Sequence, residues 1–333
     1  MDRMNRMDRM QRTDRMQQMD RMQGRGGAGR SGTGSQPGRR AVLGIGAGAA
    51  LAAALPGAAH ASTGRAAGIP GRLSDLEQEY SARLGIFAHD TGTGRTVAYR
   101  ADEHFPICSV FKTLAVSAVL RDLDRDGEYL ARRIRYTAKY VTDSGYAPVT
   151  GTEENVAAGM TVEELCAAAV SQSDNGAANL LMRELGGPTA ITRFARSVGD
   201  ATTRLDRWEP ELNTAEPWRT TDITSPREIG RTYARLVLGR ALPTQDRTRL
   251  TGWLIANTTN TERFRAGLPA GWVLADKTGG GSAYGVANDV GVVWPPGRPP
   301  LVLAVLSTKY APEGPTDNPL VSRAAALVAD ELT

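Results

Sequence analysis

The chain has 333 residues, 41% hydrophobic and 23% charged, enough for one large or two modest globular domains. Its formal charge of +4 is uneven: residues 1–61 hold ten Arg and four Asp, whereas the other 272 residues hold 30 basic and 32 acidic side chains. The larger part is therefore near neutral, and charge gives no argument for a nucleic-acid partner. Two cysteines, Cys108 and Cys166, are too few for a disulfide scaffold, and three histidines without an H-x-H pattern leave a zinc hydrolase without ligands.

Asp2 to Arg25 is a hexad repeat (DRMNRM, DRMQRT, DRMQQM, DRMQGR) followed by a Gly/Ser-rich tract. A period of six matches neither a helix face nor a strand, so residues 1–38 read as a disordered repeat and linker. Arg39-Arg40, the small apolar run Ala41 to Leu55 and Ala59-His60-Ala61 then form a basic n-region, an h-region and an A-x-A cleavage site. The run is too short and too rich in Ala and Gly for a good membrane span. Residues 39–61 are thus expected to be a signal peptide. The paired Arg points to twin-arginine export and an extracytoplasmic mature protein starting at Ser62, with no stable membrane insertion after processing.

The mature chain opens with Leu73, Leu76, Tyr80 and Leu84 at helical spacing, which predicts a helix over Arg72 to Leu84. A hairpin follows: a strand Gly85 to His89, a turn Asp90 to Gly94 and a strand Thr96 to Tyr99. From Ser109 to about Ala256 the signals are mainly helical, with apolar stripes over Val110–Leu123, Thr161–Val170, Ala177–Leu185, Ala190–Val198 and Pro226–Leu238. Gly199 to Ser225 lacks periodicity, and long irregular loops in compact domains tend to be functional. Strand signals return at Trp272–Lys277, Val286–Trp294 and Leu301–Thr308, and Pro319–Leu332 closes as a helix. Strands at both ends with helices between predict one antiparallel sheet, covered by the terminal helices, with a helical part inserted.

Four stretches carry chemistry. Ser109-x-x-Lys112 places an amine one helical turn from a hydroxyl. By itself this is a cap and a surface lysine. The chain has only four lysines, however, and Lys, unlike Arg, can lose its proton when buried. Ser173-Asp174-Asn175 follows a predicted helix and would ordinarily cap the next one. Arg207 to Asn213, with Glu209 inside it, lies in the irregular stretch. Lys277-Thr278-Gly279 ends a strand, where an edge lysine and a turn would serve equally.

Independent caps and turns do not account for all four in this order and spacing. Together they resemble the class A serine β-lactamases of the penicillin-recognising family, particularly actinomycete members, over nearly all of Arg72 to Thr333. The resemblance implies an α+β fold: a five-stranded antiparallel sheet with flanking helices plus an inserted all-helical part. The expected division is 62–108 and 257–333 for the sheet-bearing part and 109–256 for the helical part. The implied reaction is hydrolysis of the β-lactam amide through an acyl-serine, without metal or cofactor. Ser109 would be the nucleophile, with Lys112 or Glu209 as the acylation base. Ser173 would relay a proton to the leaving nitrogen, and backbone N–H groups of Ser109 and Gly280 would form the oxyanion hole, glycine at 280 letting the backbone approach. Asn175, Lys277, Thr278, Tyr146 and Arg263 would contact substrate, Arg263 replacing the arginine that many members carry just after Lys-Thr-Gly. Glu209, with Asn213 holding a water, distinguishes a hydrolase from the alternative, a D,D-peptidase or penicillin-binding protein acting on peptidoglycan. Arg207 is expected to pair with Asp222 at the neck of the loop, and Glu209-Pro210 is a candidate cis bond. The family's disulfide partners fall at Gly281 for Cys108 and Val116 for Cys166, so two free thiols are expected. Small β-lactams are the implied partners of a monomer.

Overall fold

The computed structural model describes residues 68–333, so the repeat, the linker and the signal segment lie outside the described residues. The first helix, α1, spans Ile69–Glu79 and starts with Pro at its first turn, where the missing N–H costs nothing. It stops earlier than its apolar spacing suggests. Ser81 takes a left-handed φ of +45°, and Leu84 belongs instead to strand β1, Ala82–Asp90. The reason is tertiary: all nine residues of β1 pair with a late strand, from Ala82 opposite Lys309 to Asp90 opposite Leu301. Glu77 of α1 fastens the junction, accepting from Leu84 N (2.9 Å), Tyr99 Oη (2.8 Å) and Arg100 Nε (2.7 Å).

Strand β2 is Thr96–Tyr99, and the turn before it is held by Asp90, whose carboxylate accepts from Gly92 N and Thr93 Oγ1. The three remaining strands are β3 (Val273–Gly280), β4 (Ala287–Trp294) and β5 (Leu301–Lys309). The sheet runs β2-β1-β5-β4-β3, antiparallel throughout, so both ends of the described residues build it, as the sequence suggests. Residue alternation sorts its side chains between two cores. Leu84, Ile86, Leu303 and Val305 face α1 and the C-terminal helix Asn318–Leu332. Phe87, Val290, Val292, Ala304 and Leu306 face the larger core, which the intervening helices fill.

Those helices include α2 (Lys112–Ala118), α3 (Val162–Ser171), α4 (Asn175–Glu184), α5 (Thr189–Ser197), α6 (Pro226–Val237) and α7 (Thr244–Ile255). The sequence reading did not single out α7; only Leu250 and Leu254 of it are buried, too sparse a stripe to stand out. Around α2 the predicted helix 110–123 is helical throughout but changes pitch, from a 3₁₀ turn Cys108–Phe111 through α2 to a π-turn Val119–Leu123. Helix α6 lies directly on the sheet, and Gly230 permits this: a Cβ there would come within 2.7 Å of the Phe87 ring. From this position Tyr233 Oη reaches Val110 O (3.0 Å) and Thr113 Oγ1 (2.7 Å), tying the sheet-side helix to the helix that begins at Ser109.

Candidate active site

The nucleophile turn is set in the larger core. Ile107, Val110, Phe111 and Leu114 are fully buried around Ser109, and Gly279 of β3 packs on the turn so closely that a Cβ would meet Val110 Cγ2 at 3.1 Å and Ile107 O at 3.2 Å. A side chain at 279 would therefore crowd the turn and make Ile107 and Val110 give way by a few tenths of an ångström. At 280 a Cβ would meet nothing nearer than 3.9 Å, so packing in the free protein does not demand the glycine that the sequence reading stressed. Ser109 makes no side-chain cap, so its hydroxyl is not occupied by the helix it starts.

Lys112 is fully buried and its ammonium is surrounded by acceptors: Ser173 O at 2.8 Å, Asn175 Oδ1 at 2.6 Å and Glu209 Oε1 at 3.2 Å. Burial pushes its pKa down, and the Glu209 carboxylate opposes that shift. The three N–H bonds of the ammonium match these three near acceptors, and Ser173 Oγ stands farther off at 3.5 Å. Glu209 Oε1 also lies 3.4 Å from Ser109 Oγ, long for an O–H···O bond, so one carboxylate oxygen faces both the amine and the hydroxyl.

Ser173-Asp174-Asn175 fills both of its readings. Asp174 caps α4 through Ala177 N (2.8 Å) and also accepts from Val149 N, Thr150 N and Thr150 Oγ1. It thereby ties the 146–150 segment to the site. Ser173 adopts a left-handed φ of +57°, and Asn175 donates to Ser144 O (3.1 Å) while accepting from Lys112. Tyr146, 59% exposed, stands at the edge of the cleft.

Glu209 comes from the irregular stretch. Its backbone is gripped by Asn179 of α4, which accepts from Glu209 N (3.0 Å) and donates to Glu209 O (2.9 Å). Asn213 Nδ2 donates to Glu209 Oε2, and Asn213 Oδ1 is buried without a protein partner. The Glu209-Pro210 bond is cis. At the neck of the loop Arg207 Nε meets Asp222 Oδ2 at 2.6 Å, as expected. The sequence reading missed Asn179; its one signal is a polar residue a turn after Asn175, within the small and apolar run Ala177–Met182.

On the opposite wall Thr278 lines the cleft but Lys277 is wholly buried behind it. Burial, with the nearby Lys112 charge, lowers the Lys277 pKa to about 7. Thr278 Oγ1 bonds Thr259 Oγ1, a second residue that the sequence reading did not name. Arg263 is anchored by Gly279 O and Asn288 O (both 2.7 Å) and by Asn318 Oδ1 (2.8 Å), and it reaches the cleft next to Gly280. Below it Asp276 and Asp289 form a buried carboxyl pair, and burial raises the pKa of both. Cys108 and Cys166 are free and buried, and burial pushes both thiols up.

The cleft that these groups share encloses about 480 Å³. A hollow of about 470 Å³ behind the loop holds none of the four motifs, apart from Arg207 and Leu212 of the loop stretch. Volume does not locate the site; the convergence of polar groups does. Serine, buried lysine, carboxylate and a strand-edge hydroxyl around one cleft define a serine acyl-transfer enzyme of the penicillin-recognising kind.

Comparison with known proteins narrows this. A model described as the β-lactamase enzyme family matches residues 71–332. A β-lactamase of Kitasatospora aureofaciens is 67% identical over 308 residues, covering 90% of this chain and 99% of that protein. The solved β-lactamase of Streptomyces albus G superposes with a TM-score of 0.79 at 62% identity, covering 80% of this chain and 99% of that one. An ancestral class A β-lactamase superposes with a TM-score of 0.75 at 47% identity, over 79% of this chain and all of that one. The chain belongs to the β-lactamase enzyme family and is a serine β-lactamase of class A.

Proposed function

We propose that the chain opens the β-lactam amide by acylating Ser109, then frees itself with a water activated by Glu209. Ser109 Oγ attacks the lactam carbonyl, and its proton passes to the base facing it, Glu209 through a water or Lys112 once neutral. The oxyanion is received by the N–H groups of Ser109 and Gly280. Ser173 relays a proton to the departing nitrogen, taking one in turn from Lys112, whose Nζ lies 3.5 Å from its hydroxyl. Thr278 and Arg263 bind the substrate carboxylate in the field of Lys277, Asn175 bonds the acylamide, and Tyr146 walls the cleft. In the second half, Glu209 takes a proton from water as its oxygen adds to the acyl carbonyl; the C–Oγ bond then breaks and the proton returns to Ser109 Oγ, restoring the free serine and the Glu209 carboxylate.

One observation carries the reading: a buried carboxylate lies 3.4 Å from the nucleophile, with the unpartnered Asn213 Oδ1 beside it ready to accept from a water. A D,D-peptidase leaves that arrangement without a task. The experiment is steady-state turnover of a chromogenic cephalosporin, where continuous hydrolysis is expected. A single burst followed by none would reject the hydrolase. Ser109→Ala is expected to abolish the covalent adduct in mass spectrometry.

The Arg39-Arg40 segment and the A-x-A site at 59–61 support export by the twin-arginine route, with a secreted product beginning at Ser62. Among the described residues no helix is long and apolar enough to cross a membrane.

A further inference from the structure

Asn288 lies on β4, wholly buried, paired with Gly279 of β3 on one side and Leu306 of β5 on the other. Its side chain leaves the ladder. Nδ2 donates to Pro106 O at 2.8 Å and lies 3.4 Å from Ile107 O, while Oδ1 accepts from Ser307 N at 3.3 Å. The two carbonyls it holds belong to the residues immediately before Cys108-Ser109.

That junction needs holding. Cys108 has φ +44°, a left-handed conformation that is costly for a residue with a Cβ and persists only where its surroundings impose it. The 3₁₀ turn that starts there has no side-chain cap of its own. The other ties include Ile107 N to Asp222 O (2.9 Å), the pairing of Phe105–Pro106 with Ile223–Thr224, and Arg83 of β1, which donates to His104 O and lies over the Phe105 ring. Asn288 is the side chain of the sheet that bonds the Pro106 and Ile107 carbonyls themselves. Its own carbonyl accepts from Arg263 Nη1, which also bonds Gly279 O. One residue thus connects the entry to the nucleophile turn, the strand carrying Lys277-Thr278-Gly279 and the arginine beside it.

We propose that Asn288 is a positioning residue for Ser109. By fixing the Pro106 and Ile107 carbonyls against β4, it sets the tilt of the Cys108-Ser109 peptide, and with it the aim of Ser109 Oγ and the spacing of the Ser109 and Gly280 N–H groups. A misplacement of about 1 Å at such a site costs on the order of a hundredfold in rate. The inference rests on the acyl-serine reading.

The test uses the mature protein with Asn288→Ala, Asn288→Ser and the volume-conserving Asn288→Asp, which turns a donor into an acceptor facing two carbonyls. Rapid-quench mass spectrometry gives the acylation rate with a cephalosporin, and the concentration dependence gives the pre-covalent affinity. Phenylboronic acid, which bonds a serine hydroxyl and occupies the oxyanion hole, reports alignment independently. Acylation is expected to slow 10- to 100-fold and boronate affinity to fall in parallel, with pre-covalent affinity within threefold of the parent. Asn288→Ser, retaining a short donor, should recover part of the loss. Acylation within threefold of the parent in folded variants would overturn the proposal, whatever their melting temperatures. So would a parallel fall in acylation and pre-covalent affinity, or the failure of all three variants to fold. A parent protein that never acylates would instead overturn the acyl-serine reading.

Discussion

The nucleophile turn and the loop that carries Glu209 meet in the same cleft but are held by different physics. The turn is embedded: Ile107, Val110, Phe111 and Leu114 are fully buried, and the helix it enters packs in the largest core. The loop from 199 to 225 has little regular structure: a 3₁₀ turn at Glu211–Thr214, the two-residue pairing at Ile223–Thr224, and one antiparallel bridge between Arg204 and Ile223 at its neck. It is shaped by side chains: Arg207 on Asp222, Arg204 on Asp206, Arg219 on Glu216, and Asn179 on the Glu209 backbone. Ser282 N adds a bond to Asn213 O at 2.9 Å. Packing is redundant, and a few polar bonds are not. The half of the reaction that forms the acyl-enzyme should therefore survive changes that stop the half that removes it.

The sharpest break between the regions is Glu209→Gln. Removing a general base costs about 10²–10⁴ in the step it serves. Acyl-enzyme is expected to accumulate and show as a mass increase equal to the bound lactam. Rapid steady turnover without that adduct would exclude Glu209 as the deacylation base.

Arg207→Ala tests the neck of the loop. It leaves the Asp222 carboxylate, whose side chain is 1% exposed, without its cation. Arg207 is itself partly exposed, so the expected cost is roughly 1–3 kcal/mol. The melting temperature should fall, and deacylation should slow more than acylation in rapid-quench measurements. Equal slowing of both steps would mean that the loop and the turn are not separately held.

A smaller effect comes from the opposite wall. The Lys277 pKa of about 7 means that the lysine loses its charge as pH rises through neutrality. For substrates bearing a carboxylate, kcat/KM is expected to fall through that range, chiefly by a rise in KM. Lys277→Arg, which does not titrate, should flatten this limb. The linkage to stability has the opposite direction. The unfolded lysine keeps its proton up to about 10.5 while the folded one has released it, so this group makes folding more favourable as pH rises from about 7 to 10.5. A pH profile unchanged by the arginine would assign the limb to another group.

The smallest change concerns the thiols. Cys108 and Cys166 lie in rigid, apolar surroundings, and burial holds both protonated. A disulfide-exchange reagent should find none reactive in the native protein and two after denaturation. Reaction of Cys108 in the native state would show that the nucleophile turn opens more readily than its packing indicates.

The motifs, their order and the α+β arrangement were legible in the sequence because each depends on local spacing. Ser109 and Lys112 lie one helical turn apart, Glu209 and Asn213 four residues apart, and the strands at both ends alternate in the manner of a sheet. The Arg207–Asp222 pair was legible too, because the two residues flank one loop. What the tertiary structure decided is whatever depends on residues distant in the chain. The first helix ends at Glu79 rather than Leu84 because β5, more than 200 residues later, claims Ala82 to Asp90 as a strand. Lys277 is wholly buried among groups from distant parts of the chain, Lys112, Arg263 and Asp289, whereas Thr278 beside it on β3 lines the cleft. A Cβ at 279 would crowd Val110 and Ile107 O at 3.1 and 3.2 Å, whereas one at 280 would meet nothing nearer than 3.9 Å. Thr259 and Asn288 carry no local pattern, and Asn179 only its place one turn after Asn175. Their partners come from other elements, so only the folded chain brings them to Glu209, Thr278 and the threshold of Ser109.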